Sequence, residues 1–490
     1  MEMPNITEEI ADKNESFGTN MRKTEGKKLP QYIATITVNI SSFLHGAGLG
    51  WAAPMLPFLQ SEASPVGQIS DESSSWLGCL LCLGAMFATP LYVYISHRCS
   101  RKLTGYLVAV PFIISWILVI TATSVTALYF ARFLTGMGTG SATVFIPLYV
   151  TEIAEDSVRG TLGSFYVLVS YFGVIFVYTV GSYTAYQVTS YLLLVGSGIY
   201  LVGFFFMPET PLYHVNKTNF VEAMKSLRWL RRRESSVTEQ ELNKLIASLG
   251  SKEESVKSSP IKEILTSRGP RRALIISIVL VTNLQFSGVV PLLSYTVLIF
   301  NEAGSTLSPN VSTIIVGALQ IIGSLLATVL VDRAGRKVLL IVSNVCMALC
   351  LGAIGGYFFC RSRDIDVSSV SLLPVVCLSA YFVALALGVS PVAFLMIPEL
   401  FSPQLRTAAI TLSLSLMWFN AFLVTKFFTN ISDLFGLHGC YWLFTAVCLG
   451  GLLFCIFFVP ETKNRSLESI QQELNSGRHS NRTSYIKSET

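Results

Sequence analysis

Between Gln31 and Pro460 the chain repeats one pattern: about twenty apolar residues, then a short polar connection, with almost no charge inside the apolar runs. A helix of about twenty apolar residues crosses a hydrocarbon core of ~30 Å while satisfying its own backbone polar groups. Water could not hold so much continuous apolar sequence. Of the 490 residues, 51% are hydrophobic and 13% charged, against roughly 25% charged in soluble domains. The expected fold class is an all-α membrane protein.

Charge-free stretches place spans near 33–59, 75–96, 103–122, 126–150, 160–182, 189–207, 272–301, 309–331, 338–360, 371–398, 406–430 and 438–459. Twelve is even, so both termini lie on one side. Lys and Arg crowd 97–102, 208–272 and 332–337 and are missing from 60–74, 183–188 and 302–308. Positive residues stay inside, which puts the termini and the central connection in the cytoplasm. Arg361 and Arg363 are the exceptions. The expected location is a plasma membrane. Residues 1–30 contain no apolar run suited to a cleavable signal, so the first span is expected to act as its own insertion signal, with nothing removed.

The net charge of +5 suits an anionic inner leaflet and calls for no nucleic acid. No nucleophile and base stand together as in an enzyme. The ten cysteines fall mostly in spans, and Cys79 and Cys82 have no further ligands at metal spacing, so no metal or cofactor is expected. Gly136, Gly138 and Gly140 lie inside an apolar span, where small residues let helices approach, so they are not a phosphate loop. The glycan sequons at Asn310 and Asn430 sit too near the membrane for expected use.

The second half repeats the first. Glu152 and Arg159 follow the fourth span as Glu399 and Arg406 follow the tenth, both shifted by 247; Pro208-Glu209-Thr210 and Pro460-Glu461-Thr462 are shifted by 252. His97 to Lys102 after span two has its counterpart in Asp332 to Lys337 after span eight. Six plus six spans is the layout of a carrier with two pseudo-symmetric bundles. The expected organisation is a tail at 1–32, bundles at 33–207 and 272–459, a linker at 208–271 and a tail at 460–490. In the linker, Phe220, Met224, Leu227 and Leu230 share one helical face and Leu242, Leu245, Ile246 and Leu249 another, with Thr238 and Glu241 as a capping box.

On Asp332-Arg333-Ala334-Gly335-Arg336-Lys337, on Pro147-Leu148-Tyr149 through Glu152 to Arg159-Gly160, on Gln285-Phe286-Ser287-Gly288 and on Pro398-Glu399-Leu400-Phe401, the chain resembles the sugar porters of the major facilitator superfamily, in particular their insect trehalose and hexose facilitator branch. The likeness runs from Gly50-Trp51 to Glu468. It implies twelve helices in two pseudo-symmetric six-helix bundles and a cytoplasmic gate made by Glu152, Arg159, Glu209, Asp332, Arg333, Arg336, Glu399, Arg406 and Glu461. For Arg101, Lys102 and Lys337 ordinary positive-inside anchoring is the preferred reading. His97 and Ser100 depart from the family's acid and glycine, so the first copy of the gate motif is degraded.

The same resemblance puts Gln285, Gln320, Tyr295, Trp418 and Phe394 at the solute. A mid-span glutamine facing lipid would be costly, so Gln285 should point into a cavity. Several family contacts are replaced, by Val167, Leu284, Val290, Phe394 and Met417, which makes the cavity more apolar than a glucose site. Proton-driven relatives carry an acid near the position of Gly48, and here no span holds an Asp or Glu at its middle. His45 is the alternative proton site, and Arg132 and Lys426 are expected to snorkel from outer span ends. The expected function is facilitated diffusion of a neutral sugar, a hexose or a trehalose-like disaccharide, by one chain in a bilayer, with no set oligomeric state. The alternatives are a porter of a less polar solute, a proton-coupled sugar symporter and a non-transporting sugar receptor.

Overall fold

The computed structural model describes residues 27–232, 235–253 and 260–476. Among the described residues ten helices are long and apolar enough to cross a membrane, and one of them, Pro403–Phe458, bends into two spans where Gly436 takes φ 72 and ψ 166. The first span, Leu29–Gly50 continued by Ala52–Leu59, completes the twelve. Spans two to six are Asp71–Arg98, Arg101–Thr121, Val125–Ile153, Asp156–Tyr183 and Tyr186–Phe205. Spans eight and nine are Pro309–Ala334 and Arg336–Ser362.

Within each half, helices meet backbone to backbone. A Cβ on Gly46 would fall 1.8 Å from the Ser170 carbonyl, and one on Gly173 would fall 2.1 Å from that of Phe43, which locks span one to span five. Gly84 and Gly136 bring spans two and four equally close, each 2.0 Å from a facing carbonyl by the same measure. Such contact supplies dispersion and weak C–H···O interactions where lipid offers no hydrophobic drive. In the second half Gly323 lies against Val383 and Gly388 against the Leu339 carbonyl.

Two spans are broken, and the breaks follow from sequence. Span seven runs Arg268–Phe286, then Val289–Ser294 and Thr296–Ala303. Gly288 sits at φ +92, a region open to glycine, and Pro291 has no N–H for the helix ladder. The Tyr381 hydroxyl donates to the freed Ser287 carbonyl at 3.0 Å, and the Tyr178 hydroxyl from the other half donates to that of Leu293 at 2.9 Å. Span ten runs Leu373–Ala384, a π turn at Leu385–Val389, then Ser390–Leu400. Pro391 removes one N–H there, and Ser343 repairs the turn, donating to the Ala384 carbonyl and accepting from the Val389 N–H at 3.3 Å.

The linker helices are Pro211–Asn216, Phe220–Arg231, Ser235–Glu253 and Pro260–Thr266. Val215, Ala223, Leu227 and Leu242 form their core, with Met224, Leu245 and Ile246 packed against it. Three expectations change. Phe220 is exposed and Leu230 joins the main core. Thr238 lies inside a helix that begins at Ser235, so it is not that helix's N-cap, and Glu241 pairs with Arg231 at 2.7 Å. The Leu249 side chain lies outside the described residues. Arg231 also reaches Glu155 at 3.2 Å and the Ile153 carbonyl at 2.8 Å, which ties this layer to the first half.

Gly46→Val is expected to lower the melting temperature of the detergent-purified protein by several degrees, because overpacking a tight crossing costs about 1–3 kcal/mol. Gly163→Ala, which meets nothing within 4 Å, should leave it unchanged. Fluorescence-detected melting reads both.

Candidate functional site between the two halves

Glu152, Glu209, Glu399 and Glu461 gather at one end of the spans, in two copies of one cage. In the first half Glu152 accepts from Arg101 Nη2 at 2.9 Å and from the Thr210 hydroxyl at 2.6 Å. In the second, Glu399 accepts from Arg336 Nη2 at 3.3 Å and from the Thr462 hydroxyl at 2.5 Å. Glu209 takes the Lys102 N–H at 2.9 Å, and Glu461 takes those of Arg336 and Lys337 at 3.0 and 3.1 Å. Each carboxylate thus sits on the N-terminus of the third or ninth span, where the helix dipole favours negative charge. The lysines match too, with Lys102 Nζ donating to the Phe205 carbonyl and Lys337 Nζ to that of Ile456.

This geometry corrects the expected pairing. Arg101, read as an anchor, is the partner of Glu152, whereas Arg159 turns to Asp156 at 2.7 Å and the Ala154 carbonyl at 3.3 Å. Arg406, the second-half equivalent of Arg159, has a buried Nε without a hydrogen-bond partner among the described residues. Arg333 is exposed, and the Asp332 side chain lies outside the described residues. The degraded first motif still builds its cage: Ser100 caps the third span through its hydroxyl, at φ −66, where Gly335 needs φ +92. The signal in the sequence was the shared offset of 235 that relates Arg101-Lys102 to Arg336-Lys337.

At the opposite, far end the halves are joined directly. Lys426 Nζ, from span eleven, donates to the Ser75 hydroxyl at 2.8 Å and lies 4.2 Å from the Trp76 ring centre. Tyr295 stacks on Phe428 at 5.3 Å and reaches the Ser74 carbonyl at 3.5 Å. Tyr295, expected at the solute, is therefore part of this closure, and Lys426 bridges halves instead of snorkelling. A cavity of about 380 Å³ beside it is walled by Pro54, Phe58, Ser182 and Tyr186 from one half and Val297 and Asn310 from the other. Asn310 is thus spent on a wall, and Ser312 of its sequon is fully buried.

Arg132 does not snorkel either. At 2% exposure it donates from Nε to the Leu77 carbonyl at 3.0 Å and from Nη1 to the Gly48 carbonyl at 2.8 Å, over the Trp51 ring. Backbone dipoles and a ring face solvate this cation, and no described carboxylate pairs with it.

Between the two ends lie the remaining candidates. Gln285, in the last turn before the break of span seven, is 5% exposed, Gln320 is 1% and Trp418 is 3%. Gln285 Oε1, Gln320 Oε1 and Trp418 Nε1 are all buried without a partner among the described residues. Phe394 is half-buried against the core. Sequence reasoning missed Tyr171, whose hydroxyl faces Gln320 and Ser390 across the halves. His45, the alternative proton site, stands edge-on to Trp418 with ring centres 6.1 Å apart and has Nδ1 3.4 Å from the Tyr166 hydroxyl.

Twelve spans in two repeated halves around a buried polar centre are the architecture of the major facilitator class. The chain belongs to the sugar (and other) transporter family, whose model matches residues 34–474. It is 35% identical over 448 residues to the facilitated trehalose transporter Tret1 of Drosophila mojavensis, covering 91% of this chain and 51% of that protein. The chain thus spans about half the length of that relative. It is 33% identical over 469 residues to the facilitated trehalose transporter Tret1-2 homolog of Drosophila sechellia, covering 95% of each. Among solved structures, the proton:xylose symporter XylE bound to 6-bromo-6-deoxy-D-glucose aligns with TM-score 0.72 at 21% identity, over 90% of this chain and 98% of that one. Inward-open XylE from E. coli aligns with TM-score 0.73 at 21% identity, over 90% and 99%.

Breaking one partner of a buried ion pair leaves the other charge uncompensated. Arg101→Met and Glu152→Gln should each lower the melting temperature, and the double variant should melt no lower than the worse single. Arg159→Met combined with Glu152→Gln should instead show additive effects, as sites without a shared contact do.

Proposed function

We propose that the chain is a facilitative carrier of a small neutral sugar, a hexose or a trehalose-like disaccharide, working by alternating access. The observation that carries this reading is the set of buried, unpartnered atoms Gln285 Oε1, Gln320 Oε1 and Trp418 Nε1. Leaving such a group unmet costs about 1–3 kcal/mol, and a solute hydroxyl, which donates and accepts at once, meets it. The facilitated trehalose transporters among its relatives support the solute class. Arg132 supports facilitation: the cation beside Gly48 rests on carbonyls, with no acid there to carry a proton.

In this reading Gln285, Gln320, Trp418 and Phe394 line the solute, and Tyr295 closes the route above it. The carboxylate end is cytoplasmic, with both termini on that side of a plasma membrane, as the Lys and Arg distribution favours. Glu152, Glu209, Glu399 and Glu461 brace each half internally while the far end is shut. Arg159, Arg333 and Arg406, outside the cages, are the cations that engage the other half when the cytoplasmic end closes, with Asp332 beside them. Several exposed pairs at ~0.2–1 kcal/mol each suffice to bias two states of similar energy. A less polar solute is the second reading, favoured by Val167, Leu284, Val290 and Met417 where relatives have polar contacts.

Gln285→Leu should raise the half-saturation concentration or cut flux roughly 2- to 10-fold, the worth of one hydrogen bond, with surface expression unchanged. Labelled uptake across a solute panel measures this, and saturable flux of another solute with none of any sugar sinks the assignment. In sealed vesicles a pH jump should drive no uphill accumulation; accumulation that tracks the gradient would make the chain a symporter.

A further inference from the structure

We propose that His45 is a specificity-determining contact of the solute site, and that it and Trp418 together hold one solute hydroxyl between the two halves; this rests on the sugar-carrier reading above. The first half has lost its family amide at Val167, yet the residue before it, Tyr166, begins a chain of hydrogen bonds. Its hydroxyl lies 3.0 Å from Thr143 Oγ1, which lies 2.9 Å from the Thr139 carbonyl. A carbonyl only accepts, so the Thr143 proton points to Thr139. Thr143 therefore accepts from Tyr166, which commits the phenol proton. The Tyr166 oxygen must then accept from the remaining neighbour, Nδ1–H of His45, 3.4 Å away.

The consequence is a defined tautomer. With the proton on Nδ1, a neutral His45 presents Nε2 as a bare acceptor. Trp418, edge-on at 6.1 Å between ring centres and from the other half, carries a buried indole N–H without a partner among the described residues. An acceptor from one half and a donor from the other, on rings in edge contact, can converge on a single hydroxyl, which accepts from one and donates to the other. Neither a carboxylate nor an ammonium can fill both roles, since the first only accepts and the second only donates. His45 at 7% exposure and Thr143 at 5% are buried, so the chain is shielded from bulk water.

A site that hydrogen-bonds one hydroxyl from two sides rejects the analogue lacking it. The test is uptake of a sugar and its monodeoxy series by the parent, His45→Leu, His45→Gln and Trp418→Phe, with surface expression monitored. The parent should discriminate about tenfold or more against one deoxy position. His45→Leu should raise KM about tenfold with little change in maximal flux and lose discrimination at that position alone. Gln, which keeps an acceptor, should recover part of it, and Trp418→Phe should lose it at the same position. An unchanged KM in His45→Leu, or a raised KM with the parental deoxy profile, overturns the inference. If His45→Leu does not reach the surface, an unaltered deoxy profile in Trp418→Phe overturns it. A parent that moves no sugar overturns the carrier reading as well, which separates the two failures.

Discussion

A hydrocarbon core offers no hydrogen-bond partner, so each polar atom that the spans carry into it must be met by the protein itself. In this chain the requirement is met one atom at a time. Tyr381 takes the carbonyl freed where span seven breaks, Ser343 takes the one freed by the π turn of span ten, and Arg132 takes two carbonyls from spans one and two. The amide oxygens of Gln285 and Gln320 and the indole N–H of Trp418 are among the buried atoms that nothing described meets, and they lie on spans seven, eight and eleven between the two closed ends. The proposed solute would meet these three, since a hydroxyl both donates and accepts.

The two halves show how one electrostatic design survives a change of backbone. Both seat a carboxylate on a helix N-terminus and both hold a second carboxylate between an arginine and a threonine. The second half reaches this with Gly335 in a left-handed turn, and a Cβ there would fall 2.8 Å from Glu461. The first half does so with Ser100 in an extended conformation, which supplies a cap as well. Loss of the glycine changed the turn and left the charge pattern intact.

What the sequence made legible was whatever depends on one-dimensional period. Span length, the repeat of Glu152 and Glu399 and the buried setting of Gln285 all follow from hydropathy and offset. Pairing is three-dimensional and escaped: Arg159 is seven residues from Glu152 in sequence, but Arg101, 51 positions away, is its partner in space. Arg132 and Lys426 looked like interfacial anchors because hydropathy reports depth and not which side of a helix a cation leaves from. Tyr295 likewise could be placed on the right span but not at the right height, since the two breaks that set its height depend on which carbonyls find donors. The linker capping box failed for a simpler reason: the helix starts a turn early, at Ser235.

The bond from Tyr178 to the Leu293 carbonyl means that a side chain of one half completes the backbone of a helix in the other. Separating the halves at the far end takes that donor from a segment interrupted by Pro291 and the junction at Tyr295, and leaves the carbonyl to the Thr296 hydroxyl of its own half, 3.1 Å away. Thr296 therefore holds in reserve the contact that Tyr178 makes, so the outer piece of span seven keeps a partner for its main chain whichever half it follows.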